Sequence, residues 1–263
     1  MTITVLLENA ATSDALASEH GLSLWIETAG HHLLFDTGAS DAFAENARKL
    51  GVDLATADAI VLSHGHYDHA GGLAAALDAT DAPLYVGATV ARPKAARSPQ
   101  GMRDIGVDQS VVRGLGDRLR TVEGRCDLFA GVEIVPAAPP EHAPPSDNER
   151  LLRETSHGYE PDPFEDELFV LVETAEGAVL VTGCSHRGIA NIYEAAGVDV
   201  RAVVGGLHLS HESNETVREV AHLLEGTREL DVGHCTGEPA AEVLARELPG
   251  RVHPIPAGTV LTF

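Results

Sequence analysis

Four side chains able to bind a metal ion lie within six residues of each other, directly after an apolar run at 59–62. They are His64, His66, Asp68 and His69. Two histidines one residue apart turn their imidazoles toward the same side of an extended backbone, and the next two follow as the chain curls, close enough to reach a second ion. Imidazole and carboxylate ligands suit zinc, and also iron or manganese. The spacing therefore predicts a metal site, with Asp68 also as the catalytic residue that orients the nucleophile and passes its proton to the leaving group.

The elements that must position this segment alternate along the chain. Each half has strands followed by helices, a pattern typical of a layered α/β sandwich. The predicted strands cover 2–7, 22–28, 32–35, 59–62, 84–86, 168–173, 178–182, 201–204, 230–232 and 259–262. The predicted helices cover 41–50, 72–77, 189–196, 216–225 and 239–247.

The middle of the chain lacks this regularity. Residues 136–166 contain seven prolines and many acids, with only a short helical pattern at 149–154. A long irregular segment in a compact domain is usually a lid, a binding loop or disordered. We therefore predict a lid or substrate loop at about 87–166.

The segment from His64 to His69 resembles the hallmark motif of the metallo-β-lactamase superfamily, and Leu34-Phe35-Asp36-Thr37-Gly38 resembles its early strand ending in Asp. The resemblance covers most of the chain, 6–263. It implies an α/β fold, an αββα sandwich of two mixed sheets flanked by helices, as one domain over 1–263 with the metal site at one edge. It also implies that Asp36 orients the metal ligands from behind; the other interpretation is a plain turn residue.

The resemblance implies further ligands in the second half. His234 lies in a Gly-His segment like the one that supplies a late ligand in the family. Cys184 takes the place of a bridging Asp, and is either a zinc thiolate or a small buried thiol. His208 either binds metal or contacts substrate. The family's histidine before the strand at 168–173 is missing here, so we assign the third ligand of the first ion to His186, with His157 as the poorer alternative.

The predicted activity is that of a metal-dependent hydrolase, which uses a metal-bound hydroxide on an ester, lactone, thioester or phosphoester. Two divalent ions, zinc first and iron or manganese next, are expected. One ion is assigned to His64, His66 and His186; the other is assigned to Asp68, His69 and His234, with Cys184 or a water between.

Three short motifs, Gly-Cys-Ser-His, Gly-Gly-Leu-His-Leu and Gly-His-Cys-Thr-Gly, resemble one branch in particular, the dihydropterin–ribofuranosylaminobenzene phosphate synthase-like metal-dependent hydrolases. This branch makes a synthase or transferase in pterin-type, methanopterin-like cofactor formation the first alternative. A pterin needs stacking aromatics, for which Tyr159, Phe164 and Phe169 are available. An iron-dependent oxidoreductase on the same fold is the second alternative.

The excess of acidic residues indicates which classes of binding partner to expect. The chain has 40 Asp and Glu against 18 Lys and Arg, a net charge of −22 in 263 residues. Nucleic acids and anionic membranes bind basic surfaces, so neither is expected, and a nuclease is disfavoured. We expect a small-molecule substrate, with a phosphorylated one as an option; the sequence sets no oligomeric state.

The same composition bears on the compartment. The acidity favours a halophilic protein over ordinary solubility, because a saline solvent screens the self-repulsion. A start without a basic leader or an apolar signal core predicts a cytoplasmic protein.

Four of the 18 basic residues lie close together at 92–103, in an otherwise acidic chain; they are Arg92, Lys94, Arg97 and Arg103. They either bind a phosphate or carboxylate of the substrate or belong to a solvated loop. Arg97 and Arg103 are the predicted substrate-binding residues.

Overall fold

Eighteen strands form three sheets in the computed structural model, which describes residues 1–263. In chain order the strands are β1 (Thr2–Leu7), β2 (Ser23–Thr28), β3 (His31–Phe35), β4 (Ala59–Val61), β5 (Leu84–Gly87), β6 (Lys94–Ser98), β7 (Gly101–Asp104), β8 (Leu119–Val122), β9 (Cys126–Phe129), β10 (Val132–Pro136), β11 (Leu151–Thr155), β12 (Gly158–Pro161), β13 (Leu168–Thr174), β14 (Gly177–Thr182), β15 (Val200–Gly205), β16 (Glu229–Val232), β17 (Val252–Pro254) and β18 (Val260–Thr262).

The two large sheets are both mixed. The first has the order β18-β1-β2-β3-β4-β5-β8, antiparallel as far as β3 and parallel from β3 to β8. The second has the order β17-β16-β15-β14-β13-β10-β9, parallel from β17 to β14 and antiparallel beyond it.

Helices cover the outer faces of both sheets. They are α1 (Ala42–Leu50), α2 (Tyr67–Ala70), α3 (Leu73–Ala79), α4 (Gln109–Arg113), α5 (Ile189–Ala196), α6 (Asn214–Leu223) and α7 (Glu238–Glu247), and 3-10 turns lie at Leu54–Thr56, Gly116–Arg118, Ser146–Arg150, Leu224–Gly226 and His234–Thr236. None of the helices has both the length and the apolar character needed to cross a bilayer.

The apolar side chains separate into layers because a strand alternates its faces. Along β14, Val179 and Val181 pack between the two large sheets, whereas Leu180 packs outward against α5, α6 and α7. On the other side, Phe43 of α1 and Leu73 of α3 pack on the outer face of the first sheet. These layers confirm the predicted αββα sandwich of two mixed sheets.

The middle of the chain is more regular than its composition indicated. The predicted helix at 149–154 is wrong, because Leu151–Thr155 is strand β11. This strand pairs with β6 and β12, and β6 pairs with β7, giving a third sheet of order β12-β11-β6-β7. Residues 87–166 are also not a single loop, since β8, β9 and β10 within them belong to the large sheets, with β8 and β9 at their edges. The lid stays a prediction, and the third sheet is the part of the segment that fits it.

Candidate metal centre

The candidate ligands come together at one edge of the sandwich, where strands of both sheets end. The pair His64 and His66 follows β4, while Asp68 and His69 lie on α2, the short helix that comes next. From the second sheet, parallel strands β14, β15 and β16 deliver the remaining ligand candidates, which are Cys184, His186, His208 and His234. Ligands in open α/β sheets gather at the carboxyl ends of strands, and here two such edges face each other.

Strained backbone marks the same edge. Asp36, Ser185, His208 and His234 have φ between 52° and 63°, the left-handed region that L-residues with a Cβ seldom adopt. Each follows a strand end closely. Such conformations persist where the surrounding structure enforces them, and they cluster at functional sites.

The first cluster consists of three histidines whose Nε2 atoms share one space. One ring nitrogen of each of His64, His66 and His186 lies within 4.8 Å of the other two, and the Nε2 atoms of all three are buried without a hydrogen-bond partner. His64 Nδ1 donates to Ser63 Oγ over 2.9 Å, and His186 Nδ1 donates to Asn148 Oδ1 over 3.1 Å. With Nδ1 protonated, each of these two rings directs the Nε2 lone pair into the shared space, which is the form that binds a metal.

The second cluster lies beside the first. His69 Nε2 is 3.2 Å from His234 Nε2 and 3.1 Å from Cys184 Sγ, while His234 Nε2 is 3.6 Å from Asp68 Oδ2. Metal–nitrogen and metal–sulfur bonds of about 2.0–2.3 Å place the ligands of a tetrahedral zinc ion roughly 3.3–3.7 Å apart. These three spacings are close to the expected values. The groups whose ligand atoms all lie within 4.8 Å of one another also join these side chains to others, as His64–His69–Cys184 and His20–Asp68–His234.

Asp36 supports this second cluster from behind. Its Oδ2 accepts from His69 Nδ1 over 2.6 Å, and Ser63 donates to the same carboxylate through its N–H and its hydroxyl, each over 2.7 Å. The structure therefore places Asp36 where the resemblance expected it. Gly183, the residue after β14, packs against Ser63 in this network. A Cβ at this position would lie 2.1 Å from Ser63 Oγ, so only glycine allows the end of β14 to approach Ser63 this closely.

The histidines differ in their affinity for a proton. Burial lowers the pKa of His66 to about 3 and that of His234 to about 4, and it also lowers the pKa of His64 and His186 well below the usual range. Burial acts in the same direction on His69, but Asp36 outweighs it and raises the pKa of His69 to about 9. A metal ion and a proton thus compete for His69 Nε2, and metal binding there must release the proton.

The segment 162–167, which precedes β13, contacts both the His64–His69 motif and the loop that carries His186. Gly65 N donates to Asp166 Oδ2 over 2.8 Å, and the N–H groups of His186 and Arg187 donate to Glu167 over 2.6 and 2.7 Å. Phe164 stacks on the His186 ring at a centroid distance of 4.0 Å and an angle of 4°. Phe164 and Glu167 of this segment thus fix the position of His186.

A cavity of about 350 Å³ opens onto the clusters. Some of the residues that line it were not predicted from the sequence. His20 Nε2 is 3.1 Å from Asp68 Oδ2, and His234 Nδ1 donates to Asn9 Oδ1 over 2.9 Å. Asn148 and Asp147 were also missed. Neither carries a local signal, because each reaches the site through a loop distant in sequence. Cys235, next to His234 in the Gly-His-Cys-Thr-Gly motif, also lines the cavity.

The predicted substrate-binding residues separate in the structure. Both arginines are exposed, but Arg103 lines the cavity and rests on the Tyr67 ring, 5.2 Å from its centroid, whereas Arg97 does not line the cavity. Lys94 is buried between Asp162 and Asp166, so it cannot reach a substrate.

Two other histidines that the sequence singled out, His208 and His157, differ in their distance from the cavity. His208 is 9% exposed, lines the cavity and lies 4.2 Å from the His186 ring between centroids. The alternative third ligand, His157, is exposed in the turn between β11 and β12 and outside the cavity.

Comparison with known proteins agrees with this geometry. The family model of the metallo-β-lactamase superfamily matches residues 19–219. The chain belongs to the metallo-β-lactamase superfamily. Its members are enzymes on this fold that typically bind divalent metals, and the residues matched include the His64–His69 motif, Cys184, His186 and His208.

Relatives narrow the branch within the superfamily. The chain is 26% identical over 266 residues to a protein of Methanocaldococcus jannaschii named 7,8-dihydropterin-6-methyl-4-(β-D-ribofuranosyl)-aminobenzene-5′-phosphate synthase, with 94% of this chain and 90% of the relative covered. The crystal structure of Tm1679, described as a metal-dependent hydrolase of the β-lactamase superfamily, superposes with a TM-score of 0.87 at 31% identity, covering 100% of this chain and 99% of the other. A diphosphatase of the PhnP family, at 16% identity and a TM-score of 0.57 over 100% and 97% of the chains, shares the fold. The branch expected from the three short motifs is thereby confirmed.

Proposed function

We propose that this protein is a metal-dependent hydrolase with two divalent ions, zinc first among them, that acts on an ester, lactone or phosphoester. One observation carries the proposal. Four buried histidines, His64, His69, His186 and His234, each donate Nδ1–H to a protein oxygen, which directs every Nε2 toward a neighbouring ligand atom. Hydrogen bonds that fix the tautomer in this way are the usual support of metal-binding histidines.

The ligands divide into two sets in this proposal. His64, His66 and His186 hold one ion, and Asp68, His69 and His234 hold the other, with Cys184 beside them. The orphaned Nε2 atoms of the first set fit a cation, since a buried imidazole nitrogen without a partner is costly. Nitrogen, carboxylate and thiolate together favour zinc over magnesium or calcium.

The chemistry requires a nucleophile and a proton carrier. A divalent ion supplies the first when bound, since it lowers the pKa of a water from about 16 to about 7. Burial raises the pKa of Asp68, but hydrogen bonding to His20 and the charges of His69 and His234 outweigh it and hold the pKa well below its usual value. The ionised carboxylate lines the cavity and can accept a hydrogen bond from the attacking water. His20, whose side chain is 58% exposed, extends this path toward the solvent.

A ligand-replacement series tests the proposal. We expect about two equivalents of zinc and hydrolysis of at least one of a p-nitrophenyl ester, a lactone and a phosphodiester by the wild type. His66→Ala and His186→Ala should each lose about one equivalent and at least about 100-fold in activity, since loss of even an outer partner costs about 10–100-fold. The measurements are metal analysis and initial rates.

His157→Ala is the matched control, and it should change neither quantity. Full activity of His66→Ala without metal would exclude the hydrolase proposal. Loss of zinc in His157→Ala, with retention in His186→Ala, would show that the first ligand set is wrong.

A synthase in pterin-type cofactor formation is the second candidate, favoured by the Methanocaldococcus relative. The aromatic residues expected to stack a pterin are poorly placed for it: Phe164 is buried against His186, Phe169 lies in the core, and Tyr159 is 45% exposed on the third sheet. Tyr67 is the one Phe, Tyr or Trp that lines the cavity. Product analysis with a phosphorylated aminobenzene-ribose substrate separates synthesis from hydrolysis. A different result would favour an iron-dependent oxidoreductase: a purified protein that contains mostly iron and consumes oxygen.

A further inference from the structure

His208 is a buried polar side chain outside the two proposed ligand sets, although one of its ring nitrogens lies within 4.8 Å of the ligand atoms of Cys184 and His186. Its residue is 9% exposed, and neither ring nitrogen has a hydrogen-bond partner. Its backbone has a strained φ of 52°. The ring lines the cavity beside His186. A buried imidazole without partners costs free energy unless a ligand satisfies it.

The nearest carboxylate is already occupied. Asp147 Oδ2 is 4.0 Å from His208 Nε2, beyond hydrogen-bond range. Both oxygens of Asp147 instead accept from Arg150 in a two-point contact, at 2.6 Å each. Because this ion pair is neutral in sum, it does not oppose an anion next to His208.

Arg103 supplies a cation to the same cavity. It has no carboxylate within 4.0 Å, and its guanidinium rests on the Tyr67 ring. The backbone after it is fixed to the metal motif, because Tyr67 N donates to Ile105 O over 2.8 Å and Val107 N donates to Gly65 O over 2.9 Å. In a chain with a net charge of −22, an unpaired arginine on the wall of the cavity stands out as an anion-binding group.

We propose that the cavity binds an anionic group of the substrate, a phosphate or a carboxylate, through Arg103 and His208, so that the reacting bond lies over the ligand clusters. The inference rests on the proposed function and adds its substrate class, an ester or lactone that carries a second, anionic group. Arg103 contributes charge and a two-point hydrogen bond, and His208 contributes a ring N–H that no protein oxygen accepts.

The test compares three ligands of one chain length on the zinc-loaded protein by calorimetry: 3-phosphonopropanoate, succinate and butanoate. All three present a carboxylate to the metals, and only the first two carry a second anion. We expect at least one of the two dianions to bind about tenfold or more tightly than butanoate, the effect of a hydrogen bond to a charged group. The stronger of the two identifies phosphate or carboxylate as the preferred group.

Arg103→Ala should bring the affinity for the better dianion to within about threefold of that for butanoate. His208→Gln should reduce this preference for the dianion by a smaller factor. Arg97→Ala is the matched control, because Arg97 lies on the same hairpin but outside the cavity, and it should keep the full preference. Equal ratios in wild type, Arg103→Ala and Arg97→Ala, or no preference in the wild type, would overturn the inference. A preference that depends on Arg103 in a protein that hydrolyses none of the test substrates would instead reject the proposed function alone.

Discussion

At the scale of single residues, four of the metal-ligand histidines depend on a second residue that sets their chemistry. Asp36, Ser63, Asn9 and Asn148 carry oxygens that accept an imidazole Nδ1–H. They come from loops separated by up to 139 residues along the chain. Each therefore decides the tautomer of a histidine. Only Ser63 is a sequence neighbour of its histidine; the other three partners lie far along the chain from theirs.

Asp231 is a buried acid outside the metal site that gives a residue-scale prediction. It is 2% exposed, and its Oδ2 has no partner. Burial, with a contribution from Glu229 and against His253, raises its pKa to about 6 from the usual 3.8. Between these values the folded protein keeps the proton that the unfolded chain releases, so stability falls as the pH rises.

We expect Asp231→Asn to be more stable than the wild type at pH 7, by about 1–3 kcal/mol. Its advantage should grow by about 1 kcal/mol from pH 5 to pH 7, because the cost of ionising Asp231 reaches its full value above pH 6. Urea unfolding of metal-loaded protein measures both quantities. Asp199→Asn, at an exposed acid, serves as the control, and an advantage of Asp231→Asn that is constant with pH would contradict the assigned pKa.

At the scale of elements, the sequence predicts what local spacing determines. The alternation in β14 and the helix at 189–196 follow from side-chain periodicity, and the strand-end histidines follow from residues next to each other in the chain. The third sheet was missed because its strands, β6 and β11, are more than 50 residues apart. The role of the segment 162–167 was missed for the same reason, because the chain partners of Asp166 and Glu167 lie far away in sequence.

Lys94 joins the third sheet to this segment and yields an element-scale prediction. Its Nζ lies 2.5 Å from Asp162 and 3.0 Å from Asp166, with all three side chains at most 2% exposed. Removing the cation would leave two buried carboxylates unpaired, which typically costs about 3–5 kcal/mol. We expect Lys94→Met to lower the free energy of unfolding by this amount, measured by chemical denaturation.

The other lysine of the chain provides the control for Lys94. Lys49 makes an i, i+4 pair with Glu45, whose side chain is 57% exposed, so Lys49→Met should cost less than about 0.5 kcal/mol. Adding Asp162→Asn to Lys94→Met should recover part of the loss, because one unpaired charge disappears. Equal costs for both lysines would mean that the buried network does not hold the third sheet.

At the scale of the whole molecule, the net charge of −22 is separate from the chemistry of the site. Asp36, Asp68, Asp162, Asp166 and Glu167 have contacts within the site or its support, but most acids lie on the surface. Like charges on one surface repel and destabilise the folded state, and salt weakens this repulsion as the screening length falls from about 10 Å at 0.1 M to about 3 Å at 1 M. We therefore propose that the acidity is suited to a saline solvent.

A charge-neutralised variant tests that proposal. Asp14, Asp81, Glu123 and Glu219 are exposed and take part in no ion pair, so replacing all four by the corresponding amides removes four negative charges without breaking a contact. At 0.1 M KCl we expect the variant to be more stable than the wild type by about 1 kcal/mol, and the gap to close at 2 M KCl because the repulsion is then screened in both proteins. Urea unfolding at the two salt concentrations gives the four free energies needed. The two proteins differ only in charge, so the general effect of KCl on apolar burial cancels in the comparison. A gap of the same size at both concentrations would show that the acids do not destabilise the fold by repulsion, and their excess would then reflect solubility alone.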